Sequence, residues 1–331
     1  MAAALLTLAS LAVVAPSARG ETPRVPIPDI SAGALAVSAD YVFVIERGDD
    51  QVVVFDDALN LLGTLTDVPF VQGLLVQDTT LYVSVTGADR IDAFDLTQPF
   101  PFVRTSFPTT PVDEPVALAW AGGQLWFRGT SDTASSASLH SMSASGAVSV
   151  HDGVFVAGSL ETSPARPGEI IVVGYTQIVR YSVAGGSPAV QASVPLGTTV
   201  RWADWSPDGS ELVLGHSPGN APAGSWALDA DSLAHLRRFG GVGHAGVVSA
   251  DSNRLLLATR PASEGRTDLD IHRISDGARL STHQLTSQET PRDDGLALHP
   301  DGTRIFMIGQ GLYGSVLFAF PADPQSASVR I

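Results

Sequence analysis

The sequence predicts an all-β fold, a seven-bladed β-propeller with four antiparallel strands in each blade. An alternating apolar run breaks at a tight turn and resumes seven times, in Ala34–Val44, Gly73–Val83, Ala117–Phe127, Gly158–Val173, Ala203–Leu214, Gly246–Leu257 and Leu296–Ile308. The turns inside these copies start near Ser38, Gln77, Ala121, Ser163, Ser206, Ser249 and His299, in steps of 39, 44, 42, 43, 43 and 50 residues. A period of roughly forty residues holding four short strands is that of a propeller blade. The 32 Gly and 22 Pro are scattered at turns and not gathered in one tract, which indicates many turns and not disorder.

Each element follows from local chemistry. Residues 1–20 are expected to be a cleaved secretory signal. Ala2–Ala15 is almost continuously apolar yet short for a membrane span, and small residues at Ala18 and Gly20 suit cleavage before Glu21. The remainder, residues 21–331, is expected to form one propeller domain, secreted or periplasmic and monomeric. Arg24–Ile30 is expected to pair with an outer strand and help close the ring, at an edge because Pro26 and Pro28 cannot donate to a ladder.

Third and fourth strands are expected at Gln51–Phe55 and Leu61–Leu65 in blade one, and at Arg90–Phe94 and Phe102–Thr105 in blade two. Blade three, with a Ser-rich loop, offers Ser138–Met142 and Ala147–Val150. Blade four offers Ile178–Val183 and Val190–Val194. They continue as Ser225–Leu228 and Ala234–Phe239, then Asp270–Ile274 and Leu280–Leu285, and in the last blade Ser315–Phe320 and Ala327–Ile331.

Composition removes several chemistries. There is no Cys, hence no disulfide, thiol nucleophile or thiolate ligand. All nineteen basic residues are Arg, which excludes lysine Schiff bases and a phosphate-loop lysine. A net charge of −15 repels phosphate backbones and anionic bilayers, so nucleic acid and membrane surfaces are not the expected partners. No segment after residue 20 is long and apolar enough for a membrane helix.

The turns Trp205-Ser206-Pro207-Asp208-Gly209-Ser210 and His299-Pro300-Asp301-Gly302-Thr303-Arg304 resemble the S-P-D-G turn of bacterial YVTN-type and lactonase-type propellers. Pro presets the turn, Asp caps it and Gly takes a positive φ. The resemblance is one of architecture and implies no reaction. The WD dipeptide and the regular Trp-docking motifs of other propeller families are missing.

In a propeller, the loops between blades and the second-to-third strand loops meet at one mouth of the central channel, where ligands are expected. Candidate ligand-binding residues there are Asp113, Glu114, Arg128, Trp202, His216, His244, Arg260, Arg292, Asp293 and Asp294. His216, His244 and Asp293, from consecutive blades, could hold a divalent metal with a position left open, the only cofactor the pattern suggests. Arg128, Arg260 and Arg292 could clamp an anion, or pair with nearby carboxylates.

Two motif matches are expected to be plain turns. Gly215-His216-Ser217-Pro218-Gly219 fits a nucleophile elbow, and Gly309-Gln310-Gly311-Leu312-Tyr313-Gly314 fits a dinucleotide loop. Each motif works only when a helix follows, and neither next segment can supply one. Three function classes remain. The first is a binding module holding a protein, peptide or glycan ligand on the loop face. The second is a metal-dependent lactonase-like hydrolase, and the third a structural cell-envelope protein. No convincing catalytic set is present, which favours the first.

Overall fold

The computed structural model describes residues 24–27, 30–46, 50–131, 134–155, 158–174, 177–197, 199–216, 224–240, 243–259, 267–284, 290–311 and 314–322. The chain opens with β1 (Arg24–Ile27). Blade one is β2 (Ile30–Val37), β3 (Tyr41–Glu46), β4 (Gln51–Asp56) and β5 (Leu61–Leu65). Blade two is β6 (Val71–Gln77), β7 (Thr80–Val85), β8 (Arg90–Asp95) and β9 (Val103–Pro108), and blade three is β10 (Val112–Ala121), β11 (Gln124–Ser131), β12 (Ala134–Met142) and β13 (Val148–Phe155). Blade four comprises β14 (Gly158–Glu161), β15 (Glu169–Gly174), β16 (Gln177–Ser182) and β17 (Ala189–Pro195). Blade five comprises β18 (Val200–Trp205), β19 (Glu211–His216), β20 (Ser225–Asp229) and β21 (His235–Phe239). Blade six is β22 (Gly243–Val248), β23 (Arg254–Thr259), β24 (Asp268–Arg273) and β25 (Arg279–Gln284).

The last blade corrects one expectation. Its strands are β26 (Thr290–Leu298), β27 (Arg304–Gly311) and β28 (Gly314–Pro321), and the fourth is β1, antiparallel to β28 with Arg24 opposite Phe318 and Ile27 opposite Ser315. The start of the chain therefore completes the blade, in the edge position its prolines allow. Residues 327–331, expected to form that strand, lie outside the described residues. The first strands of successive blades neighbour one another around the ring, and β26 returns to β2. This closure leaves no open sheet edge between the first and last blades.

Between blades, the second and third strands carry the apolar core. Phe43, Phe55, Leu81, Ile91, Phe127, Leu214, Leu257 and Phe306 are fully buried, each such side chain worth about 1.5–3 kcal/mol. At the turns joining first to second strands, main-chain hydrogen bonds fold Ser206–Gly209 and His299–Gly302 back at 2.8 Å, and Gly209 and Gly302 both take φ 73 as expected. These turns also grip one another. Ser163 Oγ donates to Ser206 O at 2.9 Å, Asp208 N to Ser252 Oγ at 3.0 Å, and His299 Nε2 to Ala39 O at 2.9 Å across the closure. One face of the ring is thus laced at three seams, between blades four and five, five and six, and seven and one. Candidate ligand chemistry lies on the other.

Candidate functional site at the channel mouth

The innermost strands do not run as regular ladders where they start, at the mouth. In blade two Val71 pairs with Val85 and Gly73 with Ser84, so Gln72 is an extra residue. In blade five Val200 pairs with His216 and Trp202 with Gly215, leaving Arg201 extra; in blade six Gly243 pairs with Thr259 and Ala245 with Ala258, leaving His244 extra. Blade three bulges across Glu114-Pro115, between the Asp113–Thr130 and Val116–Arg128 pairs. Blades one and seven bulge across residues 31–34 and Arg292-Asp293-Asp294-Gly295. Only β14 of blade four is regular through this rung. A β-bulge forfeits ladder pairing and re-aims the inserted side chain. Six blades are irregular in this way near the mouth end of the inner strand, which sets residues there outside the sheet's simple alternation.

The positions are in phase with the repeat. Gln72, Arg201, His244 and Asp294 each lie five residues before the turn starts at Gln77, Ser206, Ser249 and His299. Arg201 is absent from the sequence candidates because it lies two residues ahead of the alternating run Ala203–Leu214, where nothing marks a bulge. That constant offset from the turn is the signal that could have found it.

Arg201 Nη1 lies 3.4 Å from His244 Nδ1. A guanidinium cannot accept a hydrogen bond, so in this contact Arg201 is the donor. Among the described residues no group of three or more His, Asp or Glu side chains is gathered for a metal ion. The side chains of His216, Asp293 and Asp294, and all of Arg260, lie outside the described residues.

The remaining sequence candidates separate. Asp113 and Glu114 are exposed at the mouth on blade three, with Glu114 at φ 51. Arg128 is half-buried on β11, opposite Val116 and Leu139. Arg292 is half-buried at the start of its bulge; a Cβ on Gly295 would meet its Cβ at 2.8 Å, so only glycine lets the chain double back there. Trp202 is 2 % exposed and wedged between blades five and six. Its Nε1 donates to Gly243 O at 3.1 Å, and a Cβ on Gly246 would fall 2.3 Å from its ring. It fixes the spacing of β18 and β22, and so of Arg201 and His244.

The described residues of the two motif matches are in strands: Gly215-His216 end β19, Gly309-Gln310-Gly311 end β27 and Gly314 starts β28. Gly215 pairs with Ser225 inside blade five, and Gly311 with Gly314 at the end of the β27–β28 hairpin. Among the described residues no helix is long and apolar enough to cross a membrane.

No family model and no curated protein matches the chain. Among solved structures, one titled "Streptogramin B lyase structure" superposes with a TM-score of 0.65 at 14% identity, covering 91% of this chain and 97% of that one. This likeness establishes the shared propeller fold. With 1122 solved chains matching, the fold by itself selects no function.

Proposed function

We propose that the protein is a ligand-binding module whose site is the bulged ring at the channel mouth. The observation that carries this is the recurrence of inner-strand bulges at the mouth end of six blades. The side chains so presented are chemically mixed: Arg201, His244 and Arg292 offer donors on blades five to seven, Glu114 offers an acceptor on blade three, and Gln72 on blade two offers both. Such a rim suits a polar ligand with several hydrogen-bonding groups, a peptide or a glycan, held on main chain stiffened by the laced opposite face. Export belongs to the same proposal, because the apolar run before Glu21 reads as a cleaved signal.

Peptide and glycan arrays probed with wild type and with the double variant Arg201→Ala/His244→Ala test it. Ligands captured by wild type are expected to be lost from the variant while its melting temperature is unchanged. Equal capture by both would place recognition elsewhere.

A further inference from the structure

Among the described residues seven large hydrophobic side chains are exposed, and six of them (Leu61, Leu62, Val103, Val190, Leu236 and Leu280) lie on the outermost strands. The seventh, Phe70, is the lone aromatic. It is 63% exposed and stands at the mouth, immediately before β6. Its backbone is left-handed, φ 52, a conformation that costs a bulky L-residue energy.

Phe70 is held there from two sides. Its N–H donates to Asp50 Oδ1 at 3.0 Å, and its ring lies over Gly87, where a Cβ would come 2.6 Å from Phe70 Cδ2. Gly87 N in turn donates to Pro69 O at 3.1 Å.

The same turn carries a second exposed side chain. Thr86–Ala88 is a single 3-10 turn ended by Asp89, also left-handed at φ 46. Asp89 Oδ1 accepts the N–H of Glu114 at 2.9 Å, and Thr86 Oγ1 donates to Pro115 O at 2.9 Å. Phe70 and Glu114 are therefore counterparts. Each is a left-handed residue near the start of an inner strand, and each is held by a left-handed aspartate from the preceding blade. They flank one turn, with an aromatic face on one side and a carboxylate on the other.

Among the described residues, the cations of blade two are committed elsewhere. Arg90 and Arg104 both pair with Asp67 and with the buried Asp92. Asp50, Asp89, Asp113 and Glu114 give this arc of the mouth a negative field around an exposed ring.

We propose that Phe70, seated on Gly87 and flanked by Asp50 and Glu114, is an aromatic platform that receives an organic cation, an alkylammonium group of the ligand. The ring quadrupole attracts a cation over its face, and the carboxylates add charge that a neutral group of the same shape cannot use. This rests on the channel-mouth reading and names the chemistry of one arc of it.

Two matched probe pairs test it by proton NMR of the ligand: choline against 3,3-dimethylbutan-1-ol, and acetyl-Gly-Lys-Gly-amide against its norleucine counterpart. Each cationic probe is expected to bind with an upfield ring-current shift of the methyl or methylene protons next to nitrogen, and its neutral partner to bind several-fold more weakly. The tighter of the two cations tells a small quaternary amine from a peptide side chain. Phe70→Leu, which keeps apolar area but loses the quadrupole, is expected to weaken the cation about fivefold and abolish the shift, whereas Phe70→Trp retains both. Because Phe70 is exposed, these variants are expected to melt with wild type. Equal binding of cation and neutral partner, or cation binding unchanged in Phe70→Leu, would overturn the proposal, as would no binding of either cation. If the array ligands are still lost in Arg201→Ala/His244→Ala, the mouth stands as the site and only its Phe70 arc is refuted.

Discussion

Replacing Asp204 by Asn should change how stability depends on pH. Asp204 lies on β18, and its Oδ2 accepts the N–H of Val248 on blade six at 2.6 Å, joining two neighbouring inner strands. Burial pushes its pKa from 3.8 up to about 7, even though main-chain N–H groups of Val248 and Trp205 favour the charged form. Between pH 3.8 and about 7 the native state holds a proton that the unfolded state has released. Stability from this group is therefore full below pH 3.8, falls as pH rises through the window, and is flat above it. At about 1.4 kcal/mol per pH unit the whole window amounts to about 4 kcal/mol.

Asn keeps an acceptor for Val248 and does not titrate, but its amide protons need partners, at about 1 kcal/mol. Asp204→Asn is thus expected to be more stable than wild type by about 3 kcal/mol at pH 8 and level or slightly less stable at pH 4. Urea denaturation of both proteins at pH 4, 5.5, 7 and 8 measures this, and the difference between the curves is what counts. Asp67, Asp231 and Asp301 are held below the ordinary carboxylate range by arginine or hydroxyl partners, and burial lowers His151 and His283, so all five lose stability on acidification and mask the trend in wild type alone. Parallel curves would refute the reasoning.

Other outcomes follow from packing and closure. Trp202→Ala empties the wedge between blades five and six and should cost about 3–5 kcal/mol in chemical denaturation, whereas Trp202→Phe should cost less. Gly246→Ala should destabilise through its clash with the same ring, and combining it with Trp202→Ala should recover part of that loss, read as a coupling energy in a double-mutant cycle. Deleting residues through Ile27 removes β1 and bares the edge of β28. Lower cooperativity and concentration-dependent association in sedimentation are expected.

The fold was legible because its signals are local and repeated. Alternation in runs such as Gln51–Phe55 recurs in blade after blade, and Pro-Asp-Gly turns at 207–209 and 300–302 mark two of the seven copies. The partner of β28 was harder, because pairing between Arg24 and Phe318 joins opposite ends of the chain and leaves only prolines as a trace. The mouth was partly legible. Glu114, His244 and Arg292 stood out as charges next to strand starts, but a bulge is a one-residue slip in register that alternation cannot reveal. Arg201, two residues ahead of the Ala203–Leu214 run, is absent from the sequence candidates for that reason. The exposure of Phe70 depends on a left-handed backbone and a glycine seat seventeen positions later in the chain, Gly87, neither of which alternation shows.

A crystallographic fragment screen on the intact protein tests the central claim most directly, because it asks where small polar molecules settle without presuming the ligand. Bound fragments are expected to cluster at the mouth, touching residues of at least two bulges among Gln72, Glu114, Arg201 and His244. Fragments gathered on the laced face or the outer strands, with the mouth left bare, would contradict it.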